Sequence, residues 1–80
     1  MYENFIALNQ IPIGSSGRIR QLLMKGHMRR RILDLGFIHD TIIEPIMKSP
    51  AGDPIAYKIR GTVIALRSEE ASKILVQSMG

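Results

Sequence analysis

The sequence predicts a mainly β fold: a small barrel of about five short strands, with one helix inserted after the first strand and a short helix near the C-terminus. Three observations lead there. Turn-forming residues recur at short intervals, at Gly14, Gly17, Gly26, Gly36, the run 49–54 and Gly61, which is the punctuation of short strands. Ile55, Tyr57 and Ile59 alternate with Ala56, Lys58 and Arg60, the period of a strand with one buried face. Met28, Ile32 and Leu35 instead recur at i, i+4 and i+7 with Leu33 beside them, a helical stripe. Closing the strands into a barrel removes exposed edges.

Taken in order, Phe5 to Ile13 carries Phe5, Ile6, Leu8, Ile11 and Ile13 and meets Pro12, so it is expected to cross the core as an irregular or one-turn segment. Gly14-Ser15-Ser16-Gly17 lacks the Lys-Ser/Thr that a phosphate cradle requires and reads as a turn. Arg18 to Met24 starts by alternating Ile19 with Arg18 and Arg20 and is the first strand. Gly26 breaks it. A helix of about three turns follows and ends at Gly36, the residue type best suited to the left-handed C′ position. Thr41 to Met47 is the second strand, and Pro45 within it implies an edge or a bulge because it cannot donate to the ladder. Ser49-Pro50-Ala51-Gly52-Asp53-Pro54 is a turn. Ile55 to Arg60 is the third strand, Gly61 turns the chain, and Thr62 to Leu66 is the fourth. Ser68 is suited to cap a short helix whose first turn holds Glu69 and Glu70, where carboxylates favour the unpaired N–H groups. Lys73 to Ser78 is the last strand.

Composition narrows the function. Eighty residues suffice for one domain spanning 1–80 and leave no room for a separate catalytic unit. With 45% hydrophobic and 22% charged residues, the chain has the makeup of a globular protein rather than a disordered one. Cysteine is absent, which removes disulfides, thiolate nucleophiles and thiolate zinc sites and suits a reducing cytosol. No apolar run approaches the ~20 residues that cross a bilayer, and the N-terminus has no signal-peptide pattern. The net charge of +4 is unevenly placed, since Arg18 to Arg31 holds six of the eleven Lys and Arg residues and no acid.

No catalytic constellation is visible. His27 and His39 show no metal-ligand spacing, and convergence of these with Asp34, Asp40 and Asp53 would be needed to make a metal site; none is expected. Arg29, Arg30 and Arg31 are the strongest functional candidates. If Met28, Ile32 and Leu35 face the core, the three guanidiniums crown an exposed face able to grip carboxylate or phosphate. The plain reading is a solvated helix face with Arg31 paired to Asp34 at i, i+3. Nucleic acid fits the basic charge, but the only aromatics are Tyr2, Phe5, Phe37 and Tyr57, too few for a base-stacking platform.

Three segments taken together resemble one known family: Arg31-Ile32-Leu33-Asp34-Leu35-Gly36-Phe37, then Ser49-Pro50-Ala51-Gly52-Asp53-Pro54-Ile55, then Ile64-Ala65-Leu66-Arg67. They are similar to the FeoA family of bacterial ferrous-iron transport accessory proteins, over nearly the whole chain from Leu8 to Val76. The resemblance implies an SH3-like barrel, no enzymatic activity and no cofactor. It also implies a cytoplasmic location, peripheral to the inner membrane through association with FeoB, the membrane iron transporter that carries a cytosolic G-protein-like domain. On this reading Arg29, Arg30, Arg31 and Asp34 are the partner-binding residues, while Leu35, Gly36, Gly52, Asp53 and Pro54 are structural, with Asp53 bonding N–H groups of its own turn. Where the family commonly has Pro-Gly after the helix, this chain has His39-Asp40; Asp tolerates left-handed geometry, so the turn survives. The same barrel closes iron-dependent repressors of the diphtheria-toxin-repressor type, but no winged helix precedes it here. The expected role is a docking accessory that modulates iron transport or the GTPase cycle of FeoB; the alternative is a small barrel that binds nucleic acid. Self-association is allowed by an edge strand and five methionines.

Overall fold

In the computed structural model, which describes residues 5–79, six strands form one antiparallel sheet. They are β1 (Phe5–Ala7), β2 (Gly17–Leu22), β3 (Ile42–Lys48), β4 (Ile55–Ile59), β5 (Thr62–Leu66) and β6 (Ile74–Ser78). Two helices, α1 (Gly26–Asp34) and α2 (Ser68–Ala71), interrupt them. The strand order β1-β6-β2-β3-β4-β5 carries the chain's last strand between its first two, so the two termini are knitted together. This is the mainly β architecture expected from the sequence, with one strand more. The addition is β1, which the sequence reading left irregular; the expected single turn follows it as a 3-10 turn at Leu8–Gln10. Three residues show no readable alternation, and β1 is a strand only because β6 supplies the partners Gln77, Val76 and Leu75.

The alternation of β4 was legible because it is real: Ile55, Tyr57 and Ile59 are buried and Lys58 exposed. Together with Leu8, Ile19, Ile32, Phe37, Ile43, Leu66, Ile74 and Val76 they form one core. Pro45 is buried in β3, which lies between β2 and β4, so it is not on an edge; the register shift between Pro45 and Met47 is a bulge that accommodates the missing N–H. Gly17 is required for close approach. A Cβ there would meet Val76 Cγ2 at 3.1 Å and the Gln77 carbonyl at 3.3 Å, so β2 and β6 could not pack as they do with a side chain between them.

Several strand ends shift by one residue, and the larger departures lie between the first expected strand and the helix. The first strand stops at Leu22 rather than Met24, and α1 takes in Gly26, whose φ of +65° turns the chain out of the strand. The helix is nine residues long, about two and a half turns rather than three. Its C-terminus is as the sequence suggested: Gly36 at φ +103° donates its N–H to Leu33 O at 3.0 Å, and Phe37 N–H reaches Ile32 O at 3.2 Å. These two bonds make a Schellman motif, closed by the buried pair Ile32 and Phe37. Asp40 takes the left-handed turn position with φ +72°, as expected for an Asp standing where glycine is usual.

Candidate functional site

The candidate site is a groove between α1 and β2. It consists of two adjoining hollows of about 480 and 360 Å³ that share Arg29 and Leu33. Gly26, Arg30 and Asp34 line one, and Ile19, Arg20, Gln21, Leu22 and His39 line the other. Leu33, Leu22 and Ile19 give the lining an apolar part, and Arg20, Arg29 and Arg30 give it a cationic one. β2 contributes because its outward positions alternate with buried Ile19, and α1 contributes because Ile32 is its only fully buried residue, leaving the arginines outside.

The charges in the groove are not equivalent. Arg20 is spent on the fold: Nη1 donates to Asp40 Oδ1 at 2.6 Å, while Nε and Nη2 donate to Gln77 Oε1 at 3.1 and 2.7 Å. Arg18 Nη1 donates to the Asp40 carbonyl at 3.3 Å. Arg31 does not pair with Asp34 as the i, i+3 spacing suggested; it forms an ion pair with Glu70 of α2. The cause is tertiary, because α2 carries a half-buried carboxylate within reach of this guanidinium. Glu70 also does more than the capping expected of it, since its Oε1 accepts from the Arg67 N–H at 3.1 Å while the other oxygen holds Arg31. Among the described residues Arg29 and Arg30 meet no carboxylate within ion-pair distance; Arg29 Nη1 makes one long contact of 3.5 Å to Leu22 O. All three guanidiniums are exposed, and Arg31 differs from the other two in being paired with Glu70.

The 49–54 turn corrects another expectation. Asp53 does not bond its own turn: its Oδ1 accepts from the Ser68 N–H at 2.7 Å. The turn closes through its backbone instead, Ser49 N–H to Pro54 O and Gly52 N–H to Ser49 O, with Gly52 at φ +88° and a cis Asp53–Pro54 peptide. Arg67 occupies the N-cap position of α2, and Ser68 is the first helical residue rather than the cap. Its hydroxyl receives Asn9 Nδ2 at 2.9 Å. Asp53 thus meets an orphan helix donor from fifteen residues away. Local spacing carried no sign of this.

Near that turn Tyr57 is fully buried, and its hydroxyl has no hydrogen-bond partner among the described residues. Burial pushes its pKa up to about 12, with the Asp53 charge adding to the effect. The folded state therefore holds this proton more tightly than the unfolded chain, whose tyrosine titrates near 10. Its contribution is intact below pH 10 and is lost as pH rises toward 12. Tyr57→Phe is expected to leave stability at pH 7 within about 1 kcal/mol of the parent, because an unpaired hydroxyl is lost, and to flatten the decline between pH 10 and 12. Urea titrations across that range measure it.

His27 and His39 do not converge with the acids. His39 Nδ1 lies 3.4 Å from Asp40 Oδ2, and among the described residues no three His, Asp or Glu side chains come together as a metal site. No helix among the described residues is long and apolar enough to cross a membrane.

Comparison with known proteins fits this geometry. The model of the FeoA domain family matches residues 6–78. The chain belongs to the FeoA domain family. A Porphyromonas gingivalis protein named as a fusion of Fe(2+) transport protein A with the Fe(2+) transporter FeoB is 34% identical over 70 residues, covering 88% of this chain but only 8% of that much longer relative. The solution structure of a FeoA-like protein from Clostridium acetobutylicum has a TM-score of 0.88 at 36% identity, covering 96% of this chain and 90% of that one. A zinc complex of Stenotrophomonas maltophilia FeoA, described as an SH3 domain protein, has a TM-score of 0.77 at 28% identity and covers 90% and 89% of the two chains. The SH3-like fold expected from the resemblance is thereby established for this FeoA domain.

Proposed function

We propose that this chain acts without catalysis, as a single unit on the cytosolic side of a FeoB-type iron transporter, docking there and modulating ferrous-iron uptake or the nucleotide cycle. The observation that supports docking is the relative in which a similar FeoA segment is joined to FeoB in one polypeptide. Fusion holds the two at high effective concentration, an arrangement that serves partners whose separate forms must meet. The groove between α1 and β2 is the surface assigned to the contact. Among the described residues Arg29 and Arg30 meet no acid, so a partner carboxylate gains them at the expense of no more than the long Arg29 contact to Leu22 O. Asp34 beside them sets orientation by repelling a misplaced acid. Arg31 is left out of the contact, since it is committed to Glu70.

The test is calorimetric titration of the chain against the cytosolic domain of the FeoB from the same organism, at two salt concentrations. Saturable binding that weakens with salt is expected. Arg29→Glu with Arg30→Glu should weaken it by about tenfold or more, roughly 1.4 kcal/mol, with an unchanged melting profile. Equal affinity of the double variant would remove the groove from the interface. Binding of that pair of guanidiniums to duplex DNA, with no heat from the FeoB domain, would favour the nucleic-acid alternative.

A further inference from the structure

Among the described residues strand β5 ends the sheet, paired with β4 alone. Its two-residue connection to β4, with Arg60 at φ +51° and Gly61 at φ +79°, is a type I′ hairpin closed by Ile59 and Thr62. In such a hairpin the closing pair exchanges both hydrogen bonds and alternate residues face outward. Thr62, Ile64 and Leu66 therefore spend their backbone groups on β4, and Val63 and Ala65 direct theirs to the open edge. Among the described residues no backbone hydrogen bond from a loop or helix covers that edge.

Edge strands are ordinarily blunted by a charge, a proline or a bulge. Thr62–Leu66 has none of these: the strand reads Thr-Val-Ile-Ala-Leu and its pairing with β4 is unbroken. Val63 is 57% exposed. Behind the edge, Met47, Ala56 and Ala65 lie opposite one another across three strands and, with Pro50 and Pro54, line a cleft of about 350 Å³. The two alanines leave a shallow trough that would take an apolar side chain from an added strand.

Charge identifies the occupant. Lys58 stands opposite Val63, Arg60 and Arg67 flank the strand at its two ends, and Lys48 lines the cleft. Among the acids nearby, Glu44 lies across from Lys58 on β3, while Asp53 and Glu70 at the Arg67 end accept from the Ser68 and Arg67 N–H groups. A second copy added antiparallel about Ile64 would bring Arg60 of each chain within one position of Arg67 of the other, at both ends, a like-charge arrangement that opposes self-pairing. We propose that β5 is a strand-addition site for an extended segment of a partner protein whose successive side chains on the trough face are apolar opposite Ala65 and acidic beside Lys58. The backbone supplies affinity, and the trough and flanking cations supply selectivity. This surface shares no residue with the groove between α1 and β2.

The experiment is an NMR titration of the full chain with a synthetic peptide in which every second residue is threonine and the positions between alternate valine with glutamate, so that both share one face of the added strand. Saturable shifts confined to β5 and the residues of the cleft are expected, with slowed exchange of the Val63 and Ala65 amides. A peptide with lysine in place of glutamate, and one N-methylated at alternate residues, should each bind at least about tenfold more weakly. Ala65→Pro removes an outward N–H that the fold does not use, and Val63→Glu repels the acidic peptide; each should abolish binding, so the second serves if the first fails to fold. Arg29→Glu with Arg30→Glu should leave it unchanged. Absence of binding by the valine–glutamate peptide, shifts centred on α1, or full affinity in either β5 variant would overturn the proposal.

Discussion

Phe37→Ala is expected to cost about 3–5 kcal/mol, the range for deleting a buried aromatic. A domain of this size has a total stability on the order of 4–12 kcal/mol, so the variant should be partly unfolded at physiological temperature. Phe37 is fully buried and follows the helix C′ glycine, with its N–H bonded to Ile32 O and its ring in the same core as Ile32. Truncation removes the hydrophobic half of the Schellman motif along with core volume, and the end of α1 loses its anchor. Urea midpoints should fall steeply for Phe37→Ala and less for Phe37→Leu. Gly36→Ala should show a smaller loss of about 1 kcal/mol, because a φ of +103° strains any Cβ. A Phe37→Ala variant within 1 kcal/mol of the parent would mean that α1 is held by other contacts.

Asp53→Ala is expected to cost about 1–2 kcal/mol, a charge-assisted hydrogen bond discounted for the exposure of the carboxylate. The effect should be non-local. Asp53 holds the first residue of α2, α2 carries Glu70, and Glu70 pairs with Arg31 on α1, so loosening the turn should release an arginine on another helix. Hydrogen exchange should speed at the Ser68–Ala71 amides, and a double-mutant cycle with Glu70→Gln should be non-additive. Asp53→Asn keeps an acceptor and should recover part of the loss. Loss of stability without faster exchange in α2 would confine the role of Asp53 to its own loop.

The chain's periodicities determined most of the fold by themselves. The alternation of Ile55, Tyr57 and Ile59, the stripe of Met28, Ile32 and Leu35, and the glycines at 36 and 61 each encode a local geometry that backbone sterics enforce wherever they occur. The concentration of positive charge between Arg18 and Arg31 was legible as a basic stretch, and most of the groove's lining lies within it, while Leu33, Asp34 and His39 join from beyond. What the tertiary structure alone decided is which polar group meets which. Arg31 chose Glu70 over Asp34, Asp53 chose the N-terminus of α2 over its own turn, and Phe5–Ala7 became a strand because β6 lies beside it. Sequence spacing ranks only neighbours along the chain, whereas hydrogen bonds and ion pairs form with whatever the packed core brings within about 3 Å. The open edge of β5 belongs to the same class: its residues read as a strand from the sequence, and only the order of the sheet left one of its two sides unpaired among the described residues.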